Sequence, residues 1–314
     1  MNDDRQPDNR DREAIIRRAF YRSLGAIAIF AVLVAVALLW LQRGDDAPAP
    51  QEDVVVTGPV IDDTTQQPQP PAAGFTDITT AAGIDFVHVN GAYGEKLMPE
   101  TIGSGVAFLD YDNDGDQDLL LVNSSYFEGQ AGDDTPTLAL YRNDGTGRFA
   151  DVTAATGLAI DCYGMGVAVG DYDNDGWTDI YITALGENYL LHNRQGVFAD
   201  VTADSRTGGA ADEWSTAAAF VDIDNDGDLD LFVGNYVVWS REIDLEIDFR
   251  VTGLGRAIGA PNHFFGTTNR LYRNDGAGVF ADISDASGIV VNRQGGVTGG
   301  KALAVAPVDY DRDG

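Results

Sequence analysis

Asp110–Asp118 reads DYDNDGDQD, Asp171–Asp179 reads DYDNDGWTD, and Asp222–Asp230 reads DIDNDGDLD. A fourth copy, DYDRDG, occupies Asp309–Gly314. A second element alternates with the first: LYRNDGTGRFADVT at 140–153, LLHNRQGVFADVT at 190–202 and LYRNDGAGVFADIS at 271–284, with a partial copy, GFTDIT, at 74–79. The acidic motifs start 61, 51 and 87 residues apart. A fixed unit at uneven spacing predicts a repeat architecture with loop insertions.

Short apolar runs flank each acidic motif. GVAFL (105–109) and DLLLV (118–122) bracket the first, VAVG (167–170) and IYIT (180–183) the second, AAAFV (217–221) and LDLFV (229–233) the third. Runs of this length bounded by Gly and Asp predict buried strands. Asn143-Asp144-Gly145 and Asn274-Asp275-Gly276 are tight-hairpin signals. Each unit therefore offers four antiparallel strands, the content of one propeller blade.

The motif DxDxDGxxD sets carboxylates at positions 1, 3, 5 and 9, an arrangement that suits a hard divalent cation. The candidate metal residues are Asp110, Asp112, Asp114, Asp116 and Asp118; Asp171, Asp173, Asp175, Trp177 and Asp179; Asp222, Asp224, Asp226, Asp228 and Asp230; and Asp309, Asp311 and Asp313 in the fourth copy. Trp177 stands at position 7, where its side chain cannot ligate, so a backbone carbonyl is expected there in all three complete loops. Gly115, Gly176 and Gly227 at position 6 permit the sharp turn. Six or more oxygens on a flexible loop favour Ca²⁺ over Mg²⁺, which keeps its waters. An EF-hand is excluded. Its twelfth residue is a bidentate Glu, whereas Leu121, Ile182 and Val233 stand there, in strand context. Two carboxylates about 4 Å apart repel by roughly 4 kcal/mol at an effective dielectric near 20, which argues for a cation in so dense a turn.

ETIGSGVAFLDYDNDG (100–115), YGMGVAVGDYDNDG (163–176) and EWSTAAAFVDIDNDGDLDLFVGNY (213–236) resemble FG-GAP/VCBS repeats, the calcium-binding blades of integrin-α-like β-propellers. The nearest resemblance is to the cartilage acidic protein family and its bacterial members. It spans about residues 74–314 and implies an all-β propeller of four-stranded blades, about three and a half of them present. It implies Ca²⁺ in the hairpin loops, held by the carboxylates at positions 1, 3, 5 and 9. Propellers close with 4–8 blades, so the sequence is expected to be a C-terminally incomplete fragment.

The 314 residues hold 50 Asp and Glu against 20 Lys and Arg, a net charge of −30. That field repels polyanions and excludes nucleic acid as a partner. About a third of the acidic residues lie in the four motifs, so much of the charge belongs to the loops. The single cysteine, Cys162, excludes an intrachain disulfide framework and any CxxC site, and reads as a buried inert thiol.

Ser23–Leu41 holds nineteen uncharged residues after Arg17, Arg18 and Arg22, with Asp45 and Asp46 beyond. This pattern predicts a transmembrane anchor with the N-terminus in the cytoplasm. A cleaved signal near Ala47-Pro48-Ala49 and a twin-arginine signal at Arg17-Arg18 are the alternatives. The expected organisation is a basic cytoplasmic segment (1–22), an anchor (23–42), a Pro-rich linker (43–73) and the repeat domain (74–314), placed in the periplasm or outside the cell.

The function expected is a membrane-anchored, non-enzymatic adhesion or recognition module for an extracellular protein or polysaccharide. The insertion between Tyr236 and Asn269, with Trp239, His263, Phe264 and Phe265, is its candidate binding face, with ordinary loop packing as the alternative. The alternative is an exported polysaccharide-acting lyase or hydrolase. Against it, no GxSxG, HExxH or paired His occurs, and His88, His192 and His263 lie in separate contexts. His192 stands where the other copies have Arg and reads as a structural variant.

Overall fold

The structure, a computed structural model, describes residues 74–130, 135–276, 278–291 and 299–310. Residues 75–314 form one compact unit. A short helix, α1 (Thr79–Ala82), precedes three four-stranded sheets.

The first sheet is β1 (Val106–Leu109), β2 (Asp118–Leu121), β3 (Ala139–Asn143) and β4 (Phe149–Asp151), followed by α2 (Thr153–Thr156). The second is β5 (Gly164–Gly170), β6 (Asp179–Ala184), β7 (Tyr189–Asn193) and β8 (Phe198–Asp200), followed by α3 (Thr202–Ser205). The third opens with β9 (Ser215–Val221) and β10 (Asp230–Asn235). An insertion follows, with α4 (Arg241–Ile247) and the ribbon β11 (Arg250–Val251) and β12 (Gly255–Arg256). The sheet resumes with β13 (Arg270–Asn274) and β14 (Phe280–Asp282), and α5 (Ser284–Ser287) ends it.

Each sheet is an antiparallel meander, ordered β1-β2-β3-β4, β5-β6-β7-β8 and β9-β10-β13-β14. These sheets are consistent with propeller-like blades. No closed barrel forms among the described residues. The expected strands stand where the apolar runs placed them, and each complete acidic motif turns the chain between the first and second strands of its sheet.

The side-chain period of two explains how the sheets stack. On β6, Ile180 and Ile182 pack with Leu109, Leu120 and Leu140 of the first sheet and with Leu138 just before β3. Tyr181, on the opposite face, packs with Leu231, Val233, Tyr272 and Phe280 of the third. Every residue of β6 is therefore buried. The first strands adjoin through small residues: a Cβ on Gly105 would stand 3.1 Å from the Gly166 Cα, and one on Gly166 would stand 2.5 Å from the Thr216 carbonyl oxygen.

Each FAD-V-T element has a local physical cause. Asp151 Oδ1 accepts the Thr153 N–H at 2.9 Å and its hydroxyl at 2.6 Å, and Thr153 Oγ1 accepts the Leu140 N–H at 2.9 Å. Asp200–Thr202–Leu190 and Asp282–Ser284–Leu271 repeat this arrangement. The side chains thus take up the first N–H of a single helical turn and fasten that turn to the third strand.

Two aromatics of the insertion follow the packing alternative rather than a free binding face. Trp239 (6% exposed) and Phe264 (4%) are core residues, packed with Leu97, Met98, Phe127, Tyr163 and Trp214. Buried Asp244 accepts hydrogen bonds from the Met98 N–H at 2.8 Å, Trp239 Nε1 at 2.9 Å and Arg256 Nη2 at 2.8 Å. Arg241 pairs with Glu95. The aromatics were too large and apolar to stay in water once these partners, distant in sequence, came together. Phe265 remains 71% exposed, and His263 packs against Phe249.

The anchor expected at 23–42, the basic segment 1–22 and the linker 43–73 lie outside the described residues. The expected localisation, a single-pass membrane protein with its N-terminus in the cytoplasm and the propeller beyond the membrane, is corrected. Among the described residues no helix is long and apolar enough to cross a membrane. The longest, α4, has seven residues. At about 1.5 Å per residue it falls far short of the roughly 30 Å hydrocarbon core.

Candidate metal centre

The three complete loops share one conformation. Gly115, Gly176 and Gly227 take φ of 94°, 87° and 93°, which glycine adopts freely. Asn113, Asn174 and Asn225, at position 4, take φ of 56°, 57° and 60°, the left-handed region in which Asn is among the better-tolerated residues. These two left-handed residues curl the loop around its carboxylates.

The position-1 carboxylate fixes the turn with both oxygens. Asp110 accepts the Asp114 N–H at 3.1 Å and the Gly115 N–H at 3.0 Å; Asp171 accepts the matching pair at 3.0 and 2.8 Å, and Asp222 at 3.3 and 3.1 Å. The position-5 residues Asp114, Asp175 and Asp226 each accept the N–H of position 7 at 2.9 Å. At position 7, the Asp116 and Asp228 carboxylates lie beside Gly145 and Gly276 of the third-strand turns. Asp228 Oδ1 also accepts Asn174 Nδ2 at 2.8 Å.

The position-9 residues Asp118, Asp179 and Asp230 are wholly buried. Each clamps the loop to the third strand. Asp118 Oδ1 accepts the Asn143 N–H at 2.8 Å while Oδ2 accepts the Tyr111 N–H at 3.2 Å. Asp179 does the same with Asn193 at 2.7 Å and Tyr172 at 3.2 Å, and Asp230 with Asn274 and Ile223, both at 2.8 Å.

Four sets of ligand atoms lie within 4.8 Å of one another: Asp110, Asp112 and Asp118; Asp171, Asp173 and Asp175; Asp173, Asp179 and His192; and Asp222, Asp224 and Asp230. The structure therefore gathers positions 1, 3 and 9 in the first and third loops. In the second loop it gathers positions 1, 3 and 5, with position 9 joined to position 3 through His192. Asp309 lies among the described residues, while Asp311 and Asp313 fall outside them.

Electrostatics marks the same centres. Burial pushes the Asp118 carboxyl up to about 6 and the Asp179 carboxyl up to about 7, against the opposing pull of their backbone N–H donors. Asp112, Asp173 and Asp230 are also raised, chiefly by burial, with crowding by neighbouring loop carboxylates adding to it. Asp112 Oδ1 is buried without a hydrogen-bond partner. A buried acceptor of this kind is costly unless something positive meets it. A hard divalent cation fits that atom and the oxygen-rich donor sets around it.

Sequence reading missed three contributors. Asn113 Nδ2 donates to the Gly176 carbonyl of the next loop at 2.9 Å, and Asn174 Nδ2 to the Gly227 carbonyl at 3.2 Å. In the other direction, Asn193 Nδ2 donates to the Tyr111 carbonyl at 2.8 Å and Asn274 Nδ2 to the Tyr172 carbonyl at 2.7 Å. The recurrence of Asn at position 4 and before each third-strand turn was the available signal. His192 is the third contributor: its Nδ1 stands 3.2 Å from Asp179 Oδ1 and 3.4 Å from Asp173 Oδ2.

The remaining reactive groups sit apart. Cys162 is buried, and its thiol is pushed up to about 12 by that burial. His88 Nε2 stands 2.9 Å from Ser104 Oγ, which also donates to the Gly164 carbonyl at 2.7 Å. Burial lowers the pKa of His88 and favours its neutral form.

No curated protein matches the chain. Residues 110–182 and 171–233 match the FG-GAP-like repeat, a match to the repeat itself that specifies neither the cartilage acidic protein family nor a ligand. The matched stretch is thus similar to FG-GAP-like repeats, and it contains all three complete acidic loops.

Proposed function

We propose that the chain is a calcium-binding, propeller-type recognition module that carries out no reaction of its own and presents a protein or polysaccharide ligand with a surface stiffened by bound ions. The observation that carries this reading is the threefold recurrence of one loop geometry, with a wholly buried position-9 carboxylate clamped between the loop and the third strand. Carboxylates so crowded are held together by hydrogen bonds within the loop, and a cation would relieve their mutual repulsion. Calcium suits an all-oxygen set on a flexible turn.

In this reading the ions are structural. An ion at 100 times its dissociation constant stabilises the fold by about 2.7 kcal/mol per site. Isothermal titration of the full chain with calcium is expected to find at least the first and third loops, and chelation to lower the thermal midpoint. Absence of calcium binding at millimolar concentration would refute the proposal. Calcium-dependent turnover of a polysaccharide would replace the recognition role with the enzymatic one.

A further inference from the structure

The second loop departs from its neighbours in the donor it is offered. The first and third sheets place Arg142 and Arg273 in the third strand, where the second sheet has His192. Arg273 Nε is engaged by Asp275 at 2.8 Å. A guanidinium stays protonated and cannot ligate a metal. An imidazole can.

His192 is held for such a role. It precedes Asn193, whose N–H is fixed by Asp179. Its ring meets the Tyr172 edge with centroids 6.1 Å apart and planes at 71°. Its Nδ1 faces two carboxylates of different loop positions, Asp173 and Asp179, at 3.4 and 3.2 Å. Two donors bound at 2.0–2.2 Å to one tetrahedral ion stand about 3.3–3.6 Å apart. The imidazole and the two carboxylates already approach that spacing, and all three ligand atoms lie within 4.8 Å of one another. Position 7 of this loop is Trp177 rather than Asp, so the second loop also carries one carboxylate fewer than the other two.

We infer that the second loop is a mixed nitrogen–oxygen site for a borderline divalent transition metal such as Zn²⁺ or Co²⁺, with Asp173, Asp179 and His192 as ligands. The first and third loops remain all-oxygen sites. The inference rests on reading the acidic loops as ion cages, and it adds a different metal at one of them. Imidazole raises affinity for first-row metals late in the Irving–Williams order and offers little to calcium.

The test uses the full chain, stripped of metal and titrated with Co²⁺ in millimolar calcium. One Co²⁺ per chain is expected to persist, with a visible absorption band and a paramagnetically shifted imidazole proton resonance. His192→Arg restores the residue of the other sheets. It is expected to lower Co²⁺ affinity by at least the roughly 10–100-fold that losing even an outer-sphere partner costs, while calcium binding at the other loops persists. His192→Gln, smaller and uncharged, serves if the Arg variant misfolds. Displacement of Co²⁺ from every loop by calcium, or Co²⁺ binding unchanged in both folded variants, would overturn the assignment. Failure of calcium to bind anywhere, with His192-dependent Co²⁺ binding intact, would sink the calcium reading and leave this one standing.

Discussion

Asp118 and Asp179 hold no exposed surface, yet each collects two backbone N–H donors from separate parts of its sheet. Their substitution would therefore remove a proposed ligand and a clamp together. Asp118→Asn keeps one acceptor and loses the charge, so a cost of about 1–3 kcal/mol is expected from the weakened hydrogen bonds, with one calcium fewer in the titration. Chemical denaturation of the variant with and without calcium separates the two effects. The same residues give a pH dependence with a definite sign. Their carboxyls lie near 6 and 7 in the folded chain, against an ordinary 3.8. Between about pH 4 and 7 the metal-free folded chain holds protons that the unfolded chain has released, so stability falls as pH rises through that window. A cation favours the ionised carboxylates and opposes the trend. Thermal midpoints in calcium-free buffer should drop from pH 4.5 to 7.5, and calcium should shrink or reverse the drop. A calcium-free midpoint that climbs over this range would contradict the assignment.

At the scale of the element, the strands and acidic loops were legible because period-two burial and dense charge are local signals. Ile180 and Ile182 against Tyr181 show that alternation at work. The turn at Asn143-Asp144-Gly145 was legible for the same reason, and Gly145 takes φ of 73° there. Whether Trp239 and Phe264 are packed or free was not legible, because their burial depends on Leu97, Tyr163 and Trp214, which only the folded chain brings near. His192 was read as a substitution within a strand, and nothing local placed it beside Asp173. One strand position offers a direct check of the packing. The Cβ of Gly166→Ala would stand 2.5 Å from the Thr216 carbonyl oxygen. Overpacking of this kind costs about 1–3 kcal/mol. Equilibrium unfolding measures it, and a neutral outcome would show that the first strands of the second and third sheets sit further apart.

Across the whole molecule, the insertion and the chain ahead of β1 are interlocked at the strand ends remote from the acidic loops. Replacing residues 240–262 with a short Gly/Ser linker would uncover Leu97 and Met98 and strip Met98 of its acceptor, Asp244. A clear fall in thermal midpoint is expected, in contrast to the small effect a free surface loop would give, and an unchanged midpoint would refute the interlock. The acidic loops have their own connection across the sheets. Tyr111 and Asn113 flank Asp112, and both are bonded to the second sheet. Tyr172 and Asn174 flank Asp173 and are bonded in the same way to the third. The position-3 carboxylate is thus slung between two moorings on its neighbour. If the loops hold cations as proposed, pulling adjacent sheets apart would drag that carboxylate away from its ion, so mechanical tension on the protein and the grip on its cations would be two readings of a single displacement.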